Sequence, residues 1–490
     1  MQELILRGKY VILYINMEFD QFKKQNIKVI VSEIFMVIAV IITVIVLALL
    51  VSGYWLNSNF EIERNGMLQI SSVPTGASVE IDGQTSSWLE RTNSSKILSS
   101  GSHTIRLTKE GYDSWSKTVT ISEGLLYRLH YPRLFLEKRQ SEKVFSADQY
   151  TGASMSSDHN AILLFNNTSE WAYANLDTDE PILRKFDISN LFTNINAIED
   201  AKIHQFDGKI LSIDWDYDAS HVLIEVQASD MTEWVLLDVN NVEKSINLTK
   251  EFGAEFSHIE IIDNNSNNLL AISNHNLHRI DIPGRSMSTV IAEQVVDFDH
   301  YNNEIVFSAQ KAASASPEDV QTYYIGYFRL GDHRTETLEN IASPAKVAIG
   351  KFYDSKYIAT LVDNVVTIHQ KDEYTSDASE YVLSFTPETL KVGHNGEFLF
   401  LTKDINLATL DFEAGLVREW TIENNQYGWF DNDMIYAISQ GDLIVYDFDG
   451  LNRRTISHDV SDHLPAVITN DRWLYYFSNN NLVREWLVAR

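Results

Sequence analysis

The chain contains no cysteine, which excludes disulfides, thiolate catalysis and cysteine-ligated metals. Proline and glycine are scarce, 8 and 21 in 490 residues, so long flexible linkers are not expected. Basic side chains are also few: 39 Lys and Arg stand against 68 Asp and Glu, a formal charge of −29. Such a surface repels phosphate backbones, so nucleic acid is not expected as a partner. Gly-x-Ser-x-Gly, a Walker loop, His-Glu-x-x-His and a dinucleotide fingerprint are all missing. The sequence therefore assigns no catalytic, cofactor-binding or metal-binding residue, and no cofactor.

What is present is normal for a folded protein: 44% apolar residues, 22% charged, and 11% aromatic. That aromatic share favours strands over helices. One long apolar run stands apart. From Ile34 and Phe35 through Leu50 to Tyr54 and Trp55, no residue is charged. A helix of about 22 residues spans roughly 33 Å, enough for a hydrocarbon core of about 30 Å. Tyr54 and Trp55 fall where an interfacial aromatic belt would lie. The run exceeds a signal-peptide core and no clean cleavage site follows it. It is therefore expected to be a transmembrane helix over 34–55 that anchors the chain in the plasma membrane. Lys23, Lys24 and Lys28 precede the span, and only Arg64 follows closely. The excess of positive charge places residues 1–33 in the cytoplasm and everything beyond Trp55 outside it. The apolar stretch ahead of Met17 leaves open whether Met17 is the true start.

After a short connection the pattern alternates. Leu68 and Ile70, Val79 and Ile81, Ile105 and Leu107, Val119 and Ile121 are apolar at every second position, and Asp82-Gly83 and Gly111-Tyr112 mark turns. This is the pattern of a small antiparallel β-sandwich. The string Pro74-Thr75-Gly76-Ala77, Val79-x-Ile81-Asp82-Gly83, then Gly101-x-His103-x-Ile105-x-Leu107-x-Lys109-x-Gly111-Tyr112-x-x-Trp115 resembles the PEGA domains of bacterial and archaeal surface proteins, over about residues 66–132. Thr75 replaces the acid of the family motif, and Ser86-Ser87-Trp88 stands where Thr-Pro often follows the turn. The resemblance implies a structural or interaction module without catalytic residues, in which His103 is a strand residue and not a ligand.

Beyond Pro132 a short apolar strand recurs eight times: Ile162–Phe165, Val222–Ile224, Leu269–Ile272, Ile305–Phe307, Tyr357–Ala359, Phe398–Leu401, Met434–Ala437 and Trp473–Tyr476. A second strand follows each, ending in aspartate at Asp177, Asp238, Asp281, Asp411 and Asp447. Four-stranded units of about 40–45 residues, radially repeated, make a β-propeller. Residues 142–490 are thus expected to form eight blades, or seven if the long first interval hides a misread unit. Without Gly-His…Trp-Asp pairs, the units resemble TolB more than the WD40 type. The last unit supplies only three strands, so Glu142–Ser146 are expected to complete it as the outer strand and close the ring.

Asp214-x-Asp216-x-Asp218 with Glu225 matches the acidic positions of a calcium loop, but Ala219 holds the place of the required glycine and a strand follows. Asp447-x-Asp449-Gly450 reads as a turn. His275 and His278 are the closest histidine pair, placed in a polar loop at a strand end. The expectation that follows is a mostly β, membrane-anchored binding or scaffold protein of the bacterial cell envelope and cell surface. Its propeller would be the head for an unknown protein or glycan ligand, protein binding being the simplest use. The alternative is a propeller hydrolase acting on envelope glycans. Clustered acids around the channel would favour the hydrolase, and the absence of a perturbed pair there would favour binding.

Overall fold

A run of β-branched and long apolar side chains with no charge to solvate is stable as a helix only where its backbone bonds itself internally. In the computed structural model Val31–Leu49 is such a helix, 19 residues long and long and apolar enough to cross a membrane. The structure describes residues 31–49, 54–56, 62–85, 91–156, 158–193, 195–196, 204–228, 231–262, 265–311, 322–332, 334–371, 376–393, 396–461, 467–469 and 472–487. Ile34 and Phe35 lie in the helix with exposed side chains. Leu50, Met17, Ser86-Ser87-Trp88 and the basic residues Lys23, Lys24 and Lys28 are outside the described residues. Tyr54 and Trp55 correct the expectation. They belong to a strand, Tyr54–Leu56, paired antiparallel with Ile62–Arg64, and not to the helix. Aromatic residues favour strands, and both side chains of the pair are aromatic.

The chain forms two compact units. In the smaller, a three-stranded sheet has Gly66–Ile70 at its centre, with Ser94–Leu98 antiparallel on one side and Leu126–Leu129 parallel on the other. A four-stranded sheet runs Gln84–Thr85, Ser78–Ile81, Gly101–Thr108, Trp115–Ile121. One face of each sheet is buried, so Gly66–Ile70 and Trp115–Ile121 strictly alternate between buried and exposed. Leu68, Ile70, Ile105, Leu107 and Trp115 have no exposed surface. The turn glycines Gly76, Gly83 and Gly111 all have φ near +80°, the left-handed region in which a side chain is strained. One hydroxyl gathers three donors at the Pro74–Ala77 turn. Thr92 Oγ1 accepts from Gly76 N (2.9 Å), Ala77 N (3.1 Å) and the Ser72 hydroxyl (2.8 Å).

The larger unit holds eight four-stranded antiparallel sheets in succession. We number them blade 1 (152–187), blade 2 (209–247), blade 3 (258–287), blade 4 (295–341), blade 5 (346–382), blade 6 (389–421), blade 7 (427–457) and blade 8 (467–486 with 141–146). The recurring apolar strands are the second strand of each blade. They read as continuous apolar runs because both faces are buried. Val222 and Ile224 pack towards blade 1, whereas Leu223 packs towards blade 3. Leu269 and Ala271 face blade 2, Leu270 and Ile272 face blade 4. Each pair of successive blades shares one such core, and the last is shared by blades 8 and 1, through Tyr475 and Phe477 against Ile162 and Leu164. Eight seams joining eight sheets end to end make a closed propeller. Among the described residues, the long interval after blade 1 holds a small ribbon, Ile195–Asn196 with Gln205–Phe206, and no further blade.

The ring is closed by Ser141–Ser146, which pairs antiparallel with Asn481–Trp486 as the outer strand of blade 8. A β-bulge falls at Val144, between the pairs Lys143–Val483 and Phe145–Leu482. Four of the recurrent aspartates, Asp238, Asp281, Asp411 and Asp447, end third strands, whereas the third strand of blade 1 ends at Asn175, two residues before Asp177. Asp238 Oδ1 accepts from Asn240 N and Asn241 N at 2.9 and 2.8 Å, and Asp411 Oδ1 from Ala414 N at 2.9 Å. This is the local carboxylate-to-backbone bond that makes aspartate a turn former.

Candidate functional site in the propeller channel

The first strand of each blade lines the axis. Fourth strands such as Arg184–Asp187 and Leu416–Thr421 are largely exposed, whereas first strands of neighbouring blades approach closely enough to bond. Asp297 Oδ2 and Asp299 Oδ2 of blade 4 accept from Val347 N and Ile349 N of blade 5, both at 2.8 Å. Across the ring, the charge of Lys391 on the first strand of blade 6 acts on Asp214 on the first strand of blade 2, four blades away, as two side chains facing one channel would.

Alternation along these strands decides which side chains meet. In blade 4 Phe298 packs back into the seam with blade 3, so His300, two residues on, also turns to blade 3, while Asp297 and Asp299 turn to blade 5. A bulge between Val295 and Asp297, and another between Ile210 and Ser212 in blade 2, reset the pleat ahead of these residues. From blade 3, His258 packs on the edge of Phe298, with ring centroids 5.0 Å apart.

Glu260 is the hub. Its Oε1 bonds His258 Nε2 and its Oε2 bonds His300 Nδ1, each at 2.9 Å. Burial alone would raise its pKa, but the two imidazoles outweigh burial and hold it at about 2. Asp299 behaves oppositely. Burial first, and the Glu260 charge second, push it up to about 7, against the pull of its backbone N–H bonds. Asp297 and Asp214 are also raised by burial. His258 is disfavoured as a cation by burial, yet its bond to Glu260 prevails and its pKa is raised. One ligand atom each from Glu260, Asp299 and His300 lies within 4.8 Å of the other two, close enough to share one cation.

The candidate residues named from the sequence separate. Asp214 faces the channel, but Asp216 turns into its own hairpin. There its carboxylate accepts from Ser220 N, His221 N, the Ser220 hydroxyl and His221 Nδ1 at 2.9–3.0 Å. Ala219 takes the left-handed conformation at φ 55°, and Glu225 accepts from Ser212 within blade 2. The four acids do not converge. Asp447 and Asp449 lie in a turn closed by Gly450 N donating to Asp447 O. His275 is a hairpin residue with φ 63°, and His278 corrects the loop placement: it lies in strand Asn276–Asp281, bonded to Ser288 O. His103 is a strand residue whose two ring nitrogens bond Asp82 (2.7 Å) and Ser99 O (2.8 Å). Sequence reasoning missed His258, Glu260, Asp297, Asp299 and His300. The signal was present as alternating polar residues, His258-Ile259-Glu260 and Asp297-Phe298-Asp299, on the strand preceding each apolar run.

Residues 65–133 match the PEGA domain family. No curated protein matches the chain. Among solved structures, the KlAtg21 complex with the AgAtg16 coiled coil is 11% identical with a TM-score of 0.43, covering 63% of this chain and 98% of that one. Kluyveromyces lactis Hsv2 gives 9%, 0.39, 63% and 98%. The Myceliophteria thermophila Cps50 (Swd1) β-propeller domain gives 12%, 0.36, 72% and 100%. Likenesses this distant carry nothing about function.

Proposed function

We propose that the chain is a membrane-anchored, extracytoplasmic binding or scaffold protein of the bacterial cell envelope. The apolar helix is its anchor, the PEGA unit a spacer, and the propeller channel the binding head. The observation that carries this is the convergence of His258, Glu260, Asp299 and His300 on one side of a channel within a closed ring, behind a surface-type module. A rigid ring presenting a few polar groups in a concavity is the usual form of a ligand site. The ligand is a protein or a glycan. A photo-crosslinking residue at Lys391, on the first strand of blade 6, should give an adduct in intact cells. The same residue at Leu416, on the outermost strand of blade 6, should not. Adducts at Leu416 and none at Lys391 would move the binding surface away from the channel.

One observation favours a second reading, a hydrolase of envelope glycans. Glu260 held low beside Asp299 raised to about 7 is the separation of ionisation that acid–base chemistry needs. Against it, Glu260 is held as a structural ion by two imidazoles and the plane of Asp299 is fixed by two backbone N–H groups. Release of reducing ends from a soluble peptidoglycan digest, lost in Asp299→Asn, would establish hydrolysis. Binding without release supports the binding head.

A further inference from the structure

Asp297 and Asp299 are acids drawn into the ring whose hydrogen bonds come from backbone N–H groups alone: Val347 N to Asp297, and Ile349 N and His300 N to Asp299, each at 2.8 Å. Nearby positive charges act on both, His300 on Asp299 and His258 and Lys346 on Asp297, and half-buried carboxylates gathered this closely gain from a shared cation.

The donor set fits a bound cation. The cluster is not a patch of surface acids. It joins imidazole and carboxylate groups from two neighbouring blades, inside the ring. Glu260, Asp299 and His300 bring their ligand atoms within 4.8 Å of one another. His300 Nδ1 and Glu260 Oε2 stand 2.9 Å apart, near the roughly 3 Å between adjacent N and O ligands each about 2.1 Å from one cation. An ionised carboxylate has about four lone-pair sites. Asp299 uses one on each oxygen for a backbone N–H, which fixes its plane and leaves the others for coordination. His258, bonded to the far oxygen of Glu260, orients that carboxylate as outer partners of metal ligands do.

We propose that Glu260, Asp299 and His300 bind one divalent transition-metal cation of the Zn2+ or Mn2+ class on the channel wall, where the first strands of blades 3 and 4 adjoin, with His258 as a positioning residue. Mixed imidazole and carboxylate donors select these ions over Ca2+, which takes oxygen ligands, and over Cu+, which takes sulfur. The cation would be the charged centre of the channel, and in that respect the inference rests on the channel's being the binding head.

The test uses the full-length chain in detergent, stripped of metal, titrated with Zn2+ by calorimetry and with Co2+ by visible absorption. One Zn2+ per chain is expected, together with a Co2+ band. Asp299→Asn and His300→Gln should each weaken Zn2+ binding by about ten-fold or more and abolish the band, and His258→Gln should weaken binding less. Asp299→Asn keeps an acceptor for the Ile349 N–H, so its fold, checked by its circular dichroism, should survive. His458→Gln, at an exposed histidine paired with Asp442, should change nothing. No binding, or binding undiminished in Asp299→Asn and His300→Gln, overturns the site. A channel adduct at Lys391 without Zn2+ binding would sink the cation and keep the binding head. Zn2+ binding without the adduct would do the reverse.

Discussion

The sandwich and the propeller are both antiparallel β-structure, yet they solve burial differently. In the sandwich each sheet hides one face, and apolar residues alternate with polar ones, as in Trp115–Ile121. In the propeller the second strand of each blade hides both faces along its middle, and Ala161–Phe165 or Phe398–Lys403 are buried almost without a break. The sandwich therefore depends on one core and on a few turn residues. The propeller depends on eight cores of similar kind, each shared between neighbours. A local lesion should disable the first as a whole and enter the second at one seam.

The largest expected effect follows from that contrast. Trp115→Ala removes a side chain with no exposed surface from the sandwich, and Phe307→Ala does the same at the blade 3–blade 4 seam. Each should cost about 3–5 kcal/mol. Hydrogen exchange should show Trp115→Ala loosening residues 66–129 alone and Phe307→Ala loosening the propeller alone. Loosening of both regions by either change would break the comparison.

Ring closure gives the next. Val144 occupies the bulge, where proline is tolerated, so the informative positions are its neighbours. Lys143→Pro with Phe145→Pro removes the N–H donors on both sides of the bulge, at about 1 kcal/mol per lost bond plus the cost of the opened edge. The midpoint of propeller unfolding should fall while that of the sandwich holds. An unchanged propeller midpoint would show that blade 8 does not need its outer strand.

A smaller effect is expected at the Pro74–Ala77 turn. Thr92→Val leaves two backbone N–H groups without their common acceptor while the Ser72 hydroxyl keeps Pro74 O, a loss of about 1–3 kcal/mol confined to the sandwich. Thr92→Ser should restore most of it. Equal melting temperatures for the valine and serine variants would remove the hydroxyl from the account.

These two modes of burial also explain what could be read beforehand. The sandwich was legible because alternation and its turn glycines are local signals, and Gly76, Gly83 and Gly111 stand where φ is positive. The blades were legible as a repeat of apolar strands, and the closing strand from the missing fourth strand at the C-terminal end. The helix end was misplaced, since hydropathy carries no mark for where Tyr54 and Trp55 leave it. The channel cluster was hidden for another reason. Glu260 and Asp299 lie on separate blades, and only the ring closes the distance between them. Asp214, singled out for its neighbours Asp216 and Asp218, shares the channel with Glu260 instead, because the strand ends at Trp215 and the other two fall in the hairpin beyond it.

The smallest effect is a pH dependence of the sandwich. Burial opposes a charge on His103, but the Asp82 bond outweighs it and raises the pKa above 6.5. The same bond, first among its causes, lowers Asp82 below 3.8. The histidine's contribution is full below its unfolded pKa and is lost as pH rises through the raised folded value. The aspartate's is full above its unfolded pKa and is lost as pH falls through the depressed one. The sandwich should thus gain from this pair between about pH 4 and 6.5. In His103→Gln the melting temperature should lose its decline above that window. A decline that persists in the variant would assign it to other groups.

Topology tests the central claim most directly, because a binding head for the envelope must lie outside the cytoplasm. An accessible, protease-cleavable reporter fused after Arg490 should be removed when intact cells are treated with external protease, leaving a short anchor fragment. Complete protection of that reporter in intact cells, with cleavage only after lysis, would contradict the account.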